Sequence, residues 1–532
     1  MALQDMRDKI EHVVHLMFEN RGFDTLLGWL YNDQDPPLCH VPPLKAAQSV
    51  FEGVPHDAAG NPTVWLPDHP SFFGTGPYVG GQRFIHKGNW SQCNMPVADP
   101  GEPWEDVTQQ IFGPYGNRAL GPSRLMRGFW LNYQKSRFPD IGSPDDILAT
   151  STRDDLRVIN TLARAFAVSD HWHASAPTET NPNRAFSLAG TSQGRKINCS
   201  FNGVPFQGLR TIFGVLNDAN KRWKLYADHY WMDLDELYYT QYMFPEGMEQ
   251  GSFGSIDHFR HDVHHDKLPV FSYIEPSFFG EIGIPMPPLF GNDYHPPGSL
   301  YDGESTLKRV YDILISRPEV FKKTLFIVTF DEHGGTYDHV IPPAAFPPDD
   351  LSPEFNRYGL RVPTLLISPW VPPSCVFRPL RERDRVTRWR LAFDHTSVLA
   401  TLMRWLGIRY TKEGDPGWLG RRTRSAQTFE DVITSTYNGT WPAVERSGCS
   451  DFQATGAEET VGATNIPRGV VGAMVERITA FPRTSPEHET IFAEILATTR
   501  TEDDLREHFV RLKRLYGHNR RTGTQDDGCP PS

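Results

Sequence analysis

Three short stretches hold residue types that could do chemistry together. Asp331-Glu332 lies within Thr329 to Gly335, a stretch that directly follows the apolar run Leu325-Phe326-Ile327-Val328 and ends in His333-Gly334-Gly335. Two adjacent carboxylates resist ionising side by side unless something cationic holds them, and a divalent metal is the simplest such partner. Glu19-Asn20 follows a second apolar run, Ile10 to Phe18, and adds one anionic and one neutral amide oxygen. Glu19, Asn20, Asp331 and Glu332 make an oxygen-dominated donor set suited to Mg²⁺, Ca²⁺ or Mn²⁺, with Zn²⁺ less expected. The third stretch is Thr180-Asn181-Pro182-Asn183-Arg184. Proline suits a first helical turn, so Thr180 falls where the positive end of a helix favours a phosphate or an alkoxide. A metal beside that hydroxyl would lower its pKa and make it a usable nucleophile. Taken alone, each stretch also has a structural reading: a helix N-cap for Thr180, a capping Asn and a surface Glu for the first pair.

The elements that must position these residues alternate. Ile10–Phe18, 325–330 and 362–368 read as strands, whereas Leu156–Ala167, Ser305–Ile315 and Asp394–Leu406 have helical spacing. The first of these helices is expected to run into a loop at Ser169-Asp170. Such alternation predicts an α/β fold, a mostly parallel sheet covered on both faces, with its chemistry at the carboxyl ends of the strands. Residues 34–125 are rich in Gly and Pro and read as a loop-rich insertion, and residues 200–300 as an insertion or cap over the site. Residues 1–440 are thus expected to form one catalytic domain, and 441–532 a C-terminal helical extension. The cluster His258, His261, His264 and His265 sits among charged neighbours and reads as a solvated helix face rather than a metal site.

Composition narrows the classes. With 53 basic and 65 acidic residues the chain carries a net charge of -12, which excludes a general nucleic-acid binder. No apolar run is long enough to span a membrane. The amino terminus shows no signal core, so the chain reads as cytoplasmic as it stands, or as secreted if a signal has been removed. Its six cysteines show neither a CxxC nor a zinc spacing.

The ordered set of stretches resembles the phosphoesterase family of non-specific phospholipases C and a bacterial acid phosphatase, within the alkaline-phosphatase-like superfamily. The residues that carry the resemblance are Glu19 to Asp24, Thr180 to Arg184, Tyr273-Ile274-Glu275-Pro276, His295-Pro296-Pro297, Thr329 to Gly335 with Tyr337-Asp338-His339, Ile367-Ser368-Pro369-Trp370 and Phe393 to Ser397. The resemblance implies an α/β/α sandwich and one divalent ion on Glu19, Asn20, Asp331 and Glu332. It implies Thr180 as a nucleophile that forms a phospho-enzyme, and His295 as a phosphate-binding or acid–base group. His333 and His395 are further catalytic candidates, each with an equal reading as a structural histidine. Arg184 is a candidate for substrate binding or for a buried ion pair.

Sulfatases of the same superfamily use Cys or Ser in this frame, oxidised to an aldehyde that threonine cannot yield, so phosphoryl transfer is favoured. The chain departs from the family at Glu102, where relatives carry His, and at Arg127, where they carry Asn. Both are expected near the substrate, as a possible replacement pair. The expected substrate is a phospholipid headgroup ester. A soluble phosphomonoester, a repurposed ester reaction and a non-catalytic phospho-ligand binder are the alternatives.

Overall fold

A computed structural model describes most of residues 2–446 and, beyond them, chiefly 486–500; the longer stretches of 2–474 outside the description are 57–64, 68–81, 114–125, 229–238, 279–290, 382–389 and 447–474. The centre is a nine-stranded sheet. In chain order its strands are β1 (His12–Phe18), β2 (Cys39–Val41), β3 (Ala167–Ser169), β4 (Trp223–Ala227), β5 (Ser252–Ser255), β6 (Phe271–Glu275), β7 (Thr324–Phe330), β8 (Thr364–Ile367) and β9 (Cys375–Phe377). Across the sheet they run β2-β9-β3-β8-β7-β1-β6-β4-β5, all parallel except β8, which is antiparallel to both neighbours. Every residue of β1 and β7 is buried. That explains why both read as continuous apolar runs rather than alternating strands.

Helices cover both faces. Thr180–Ala189, Ile212–Asp218, Thr396–Leu406 and Ala2–Lys9 pack on one another as one layer. Arg157–Ala165, Ile256–His264 and Leu300–Ile315 form the other. The expected α/β/α sandwich with a mostly parallel sheet is therefore the fold of this chain.

Three expectations about local structure need correction. The stretch 200–300 is not simply an insertion: β4, β5 and β6 are consecutive edge strands of the sheet. Their aromatic residues pack into the main core, so the aromatic content that suggested a cap belongs to buried strands. The residues after the helix Arg157–Ala165 are not a loop but β3, three residues too short to show a period. Within 34–125, β2 joins the sheet edge. The helix Trp104–Phe112 packs with Phe129–Ser136 around Val107, Ile111, Phe129, Tyr133 and Tyr337, a small separate core. Of the C-terminal extension, Pro486–Thr498 is helical, and most of the remainder lies outside the described residues. The histidine-bearing segment is the helix Ile256–His264, with His258, His261 and His264 exposed.

Candidate active site

The register of β1 and β7 assembles the site. Phe18 pairs with Phe330 at the carboxyl ends of these strands, so the next residues, Glu19 and Asp331, leave the sheet side by side. The Asp331 amide donates to the Phe18 carbonyl at 3.1 Å, which carries the ladder one step past the strands. Asn20 then takes a left-handed backbone, φ 55°. That turn is held by its own amide, which donates to Asp331 Oδ1 at 3.0 Å. Gly334 makes it possible: a Cβ there would lie 2.0 Å from the Asn20 carbonyl oxygen, and its φ of 60° lies in the left-handed region that favours glycine.

Thr180 is the first residue of the helix Thr180–Ala189, and Glu179 is the N-cap. Thr180 is therefore not a capping residue. Its hydroxyl donates to Asn20 Oδ1 at 3.1 Å. Thr178 turns away and donates to the Lys196 carbonyl. The helix is buried along its whole length and closes at Gly190, φ 77°, so it aims its positive end at a fixed point.

His295 arrives on the loop between β6 and the helix Leu300–Ile315. Its Nδ1 lies 3.1 Å from Glu19 Oε2, and its Nε2 lies 3.4 Å from Asp99 Oδ1 and 3.5 Å from Glu102 Oε1. Burial opposes its charge, but the hydrogen bonds to Asp99 and Glu19 outweigh that and raise its pKa well above 6.5. The carboxylates on either side of His295 thus favour its protonated form. Glu102 accepts a hydrogen bond from Asn20 Nδ2, so the departure from the family pattern does face the site. Burial, with Glu332 and Asp99 nearby, raises the Glu102 pKa well above its usual value. Arg127, half-buried on the neighbouring lobe, acts electrostatically on Tyr337. The contacts of Glu102 are with Asn20 and His295, so the expected Glu102–Arg127 replacement pair is not what fills this position.

Arg184 also lies elsewhere than a substrate-binding role requires. Its Nη2 sits 3.0 Å from Glu19 Oε1, and its Nε 3.2 Å from Asp331 Oδ2. The guanidinium lies over the Phe278 ring and is almost wholly buried. It braces two carboxylates from behind, because one turn of helix puts it beneath Thr180 and facing the sheet. His395 points its Nε2 at the Asp331 carbonyl, 2.6 Å away, and burial lowers its pKa. His333 bonds Gln110 at 2.8 Å and flanks Glu332 at 3.0 Å, with its pKa pushed down to about 3 by burial. Both therefore lie against the carboxylate pair, and burial disfavours the charged form of each.

The donor set fits a hard cation. Glu332 Oε1 is buried without a hydrogen-bond partner, and Asp331 Oδ2 has no hydrogen bond beside its Arg184 ion pair. Orphaned carboxylate oxygens in a closed site are the groups that a bound cation satisfies. With the site as it stands, burial and then Asp331 raise the Glu332 pKa well above its usual value. A second cluster, Glu19 with Asp293 and His295, brings its ligand atoms within 4.8 Å of one another. Sequence reasoning assigned no site role to Asp293, two residues before His295, or to Asp99, three before Glu102; the fold brings Asp99 to His295, and the His295 amide donates to Asp293 Oδ1 at 3.1 Å.

A third buried cluster, Asp24 with Asp338 and His339, is an ion-pair network. Arg361 lies at its centre, 2.8 Å from Asp24 Oδ1 and 3.1 Å from Asp338. It fixes the turn that follows Asn20, and a guanidinium there leaves no room for a metal.

The fold and the site define a hydrolase acting on phosphoric ester bonds. The chain belongs to the phosphoesterase family, whose model matches residues 10–409. A non-specific phospholipase C4 of Arabidopsis thaliana is 30% identical over 445 residues, covering 80% of this chain and 72% of the relative. Phospholipase C B of Mycobacterium tuberculosis is 28% identical, covering 75% of this chain and 74% of its own. Among solved structures, a protein in the alkaline phosphatase superfamily from Vibrio parahaemolyticus overlaps 52% of this chain and 65% of its own, at 13% identity and a TM-score of 0.30. Among the described residues, no helix is long and apolar enough to cross a membrane.

Proposed function

We propose that this protein is a divalent-metal-dependent phosphoesterase of the phospholipase C type, and that Thr180 is its nucleophile. The observation that carries the proposal is the 3.1 Å contact between the Thr180 hydroxyl and Asn20 Oδ1, made at the positive end of a buried helix. Glu19, Asn20, Asp331 and Glu332 would hold the cation, which when bound would lower the pKa of the Thr180 hydroxyl and neutralise charge on a phosphoryl group.

The remaining work falls to the chain. Among the described residues, Thr180 Oγ1 donates to no carboxylate or imidazole, only to a neutral amide oxygen. Its activation therefore depends on positive field rather than on a general base in contact with it. Thr180 gives its hydroxyl proton to solvent, and attack by Oγ on phosphorus forms a phosphothreonine, which for a diester still carries the headgroup, and expels the other alcohol. His295, an imidazolium between Glu19 and the Asp99–Glu102 pair, carries the proton that the leaving oxygen needs. Unprotonated after that step, it can take a proton from the water that hydrolyses the phospho-enzyme. Arg184 keeps Glu19 and Asp331 in register with Thr180 throughout. The names of the plant and mycobacterial relatives support a phospholipid diester as the substrate class.

The test is a turnover screen over phosphatidylcholine, glycerophosphocholine-type esters and simple monoesters, read as release of the alcohol and the phosphomonoester from diesters and as phosphate release from monoesters, run with added Mg²⁺, Ca²⁺, Mn²⁺ or Zn²⁺ and with a chelator. Wild-type protein is expected to turn over the diester only with metal. Acid quench during turnover should trap one phosphoryl group, still carrying the headgroup when the substrate is a diester, on the peptide that holds Thr180. A Thr180→Ala protein that keeps full turnover, or label found only on another residue, would overturn the assignment.

A further inference from the structure

The central sheet holds two cysteines side by side. Cys39 opens β2, Cys375 opens β9, and the parallel register pairs these two residues directly. Register partners in a parallel pair present their side chains to the same face, with Cα atoms about 5 Å apart. That separation lies within the range a disulfide spans. Each thiol acts on the other: the Cys39 pKa lies below the usual thiol value and that of Cys375 above it. Their exposure differs: Cys39 is half-buried at the sheet edge, whereas Cys375 is fully buried. The other four cysteines lie outside the described residues. The mechanism above uses neither thiol.

We propose that Cys39 and Cys375 are a dithiol–disulfide modification site that fastens the edge strand β2 to the sheet. The oxidant would be a low-molecular-weight disulfide of the glutathione class. The accessible Cys39 thiolate attacks one sulfur of that disulfide and expels a thiolate, leaving a mixed disulfide on Cys39. Cys375 then loses its proton and attacks Cys39 Sγ, and the second small thiolate leaves. One sulfur–sulfur bond forms and one breaks. Two electrons pass from the protein thiols to the small disulfide, and the two protons end on the small thiols.

The fastening has a structural target. Beyond β2 the chain folds back on itself, with His40 Nε2 at 2.8 Å from the Val50 carbonyl. It then crosses the sheet end, where the Glu52 amide donates to Asp170 Oδ2 at 2.9 Å and the Val54 amide to the Gly28 carbonyl at 2.8 Å. The Glu52 carbonyl accepts from Arg361 Nη1 at 2.5 Å. Arg361 is the same guanidinium that holds Asp24 in the turn after Asn20. A covalent link at Cys39 therefore tethers a strap that ends beside the active-site loop. The strand at its upstream end is only three residues long.

The full chain is incubated with dithiothreitol or with oxidised glutathione, alkylated, digested without reductant and mapped by mass spectrometry. Oxidised protein is expected to yield a Cys39–Cys375 cross-linked peptide that dithiothreitol abolishes. Amide exchange at residues 39–41 and 50–54 should slow at least about tenfold, and the thermal midpoint should rise by about 5 °C. Cys39→Ser should abolish the cross-link and leave Cys375 as the free thiol. Recovery of both residues as free thiols from oxidised wild-type protein would overturn the proposal, as would Cys39 stalled as the mixed disulfide. A cross-link without slower exchange would overturn the fastening of the strap.

Discussion

Glu102 offers a sharp test of how the site is held. Asn20 must present its oxygen to Thr180, yet a primary amide fits a pocket in two orientations with similar shape. Its nitrogen has two neighbours, Glu102 Oε1 and His295 Nε2 at 3.2 Å. An imidazolium nitrogen is a donor, so His295 in its charged form cannot accept from the amide. Glu102 is then the sole acceptor for Asn20 Nδ2 among the described residues. Removing it in Glu102→Ala leaves a buried donor unsatisfied, a loss of about 1–3 kcal/mol, and frees the amide to turn its nitrogen toward Thr180. Carried into the transition state, that is a fall of about 5- to 150-fold in kcat/KM. Glu102→Gln keeps a carbonyl acceptor of the same reach and should stay within about threefold of wild type. The assay is steady-state turnover of one phosphodiester by the three proteins, with Mn²⁺ affinity measured by calorimetry as the readout independent of turnover. Equal losses in the Ala and Gln variants, or none in Ala, would refute the orientation argument and leave Glu102 as a charge or as a bystander.

Three further outcomes follow from the same geometry. Arg184→Ala removes the guanidinium shared by two buried carboxylates, Glu19 and Asp331, and should lower unfolding stability by about 3–5 kcal/mol in denaturant titration, with Arg184→Lys recovering only part because an ammonium cannot reach both acids as a planar fork. Gly334→Ala puts a methyl 2.0 Å from the Asn20 carbonyl oxygen and should abolish turnover while leaving β1 and β7 folded, as read by kinetics and circular dichroism. His339 has its pKa raised above 6.5: burial opposes this, but Asp24 outweighs it, while the Asp24 pKa is lowered below 3.8. Their stabilisation is therefore full between those two values, fades as pH rises through the folded pKa of His339, and fades as pH falls below 3.8 through that of Asp24. The difference in thermal midpoint between wild type and His339→Gln should be larger at pH 6 than at pH 9, and a gap that widens with pH would contradict the sign.

Much of this was legible in the chain itself because the relevant signals are local. A strand buried on both faces must be apolar throughout, so β1 and β7 announce themselves, and the carboxylates just beyond them are conspicuous for standing where apolar residues stop. Thr-x-Pro marks a helix start in any context, and Thr180 does begin one. Those two kinds of local rule sufficed to nominate Glu19, Asn20, Thr180, Asp331 and Glu332.

What the linear order could not express is which side chain faces which. Arg184 and Glu102 are each a charged residue near a motif, and nothing in their spacing tells a substrate contact from a brace. The register of β1 against β7 decided that Arg184 lies behind Glu19 and Asp331, and the path of the lobe around Trp104–Phe112 decided that Glu102 meets Asn20. Cys39 and Cys375 lie at opposite ends of the catalytic region in sequence and become neighbours only through a sheet order that places β2 beside β9. Periodicity and turn chemistry act over a few residues and so survive in the sequence, whereas pairing across a sheet is settled by packing between distant segments and exists only once the chain has folded.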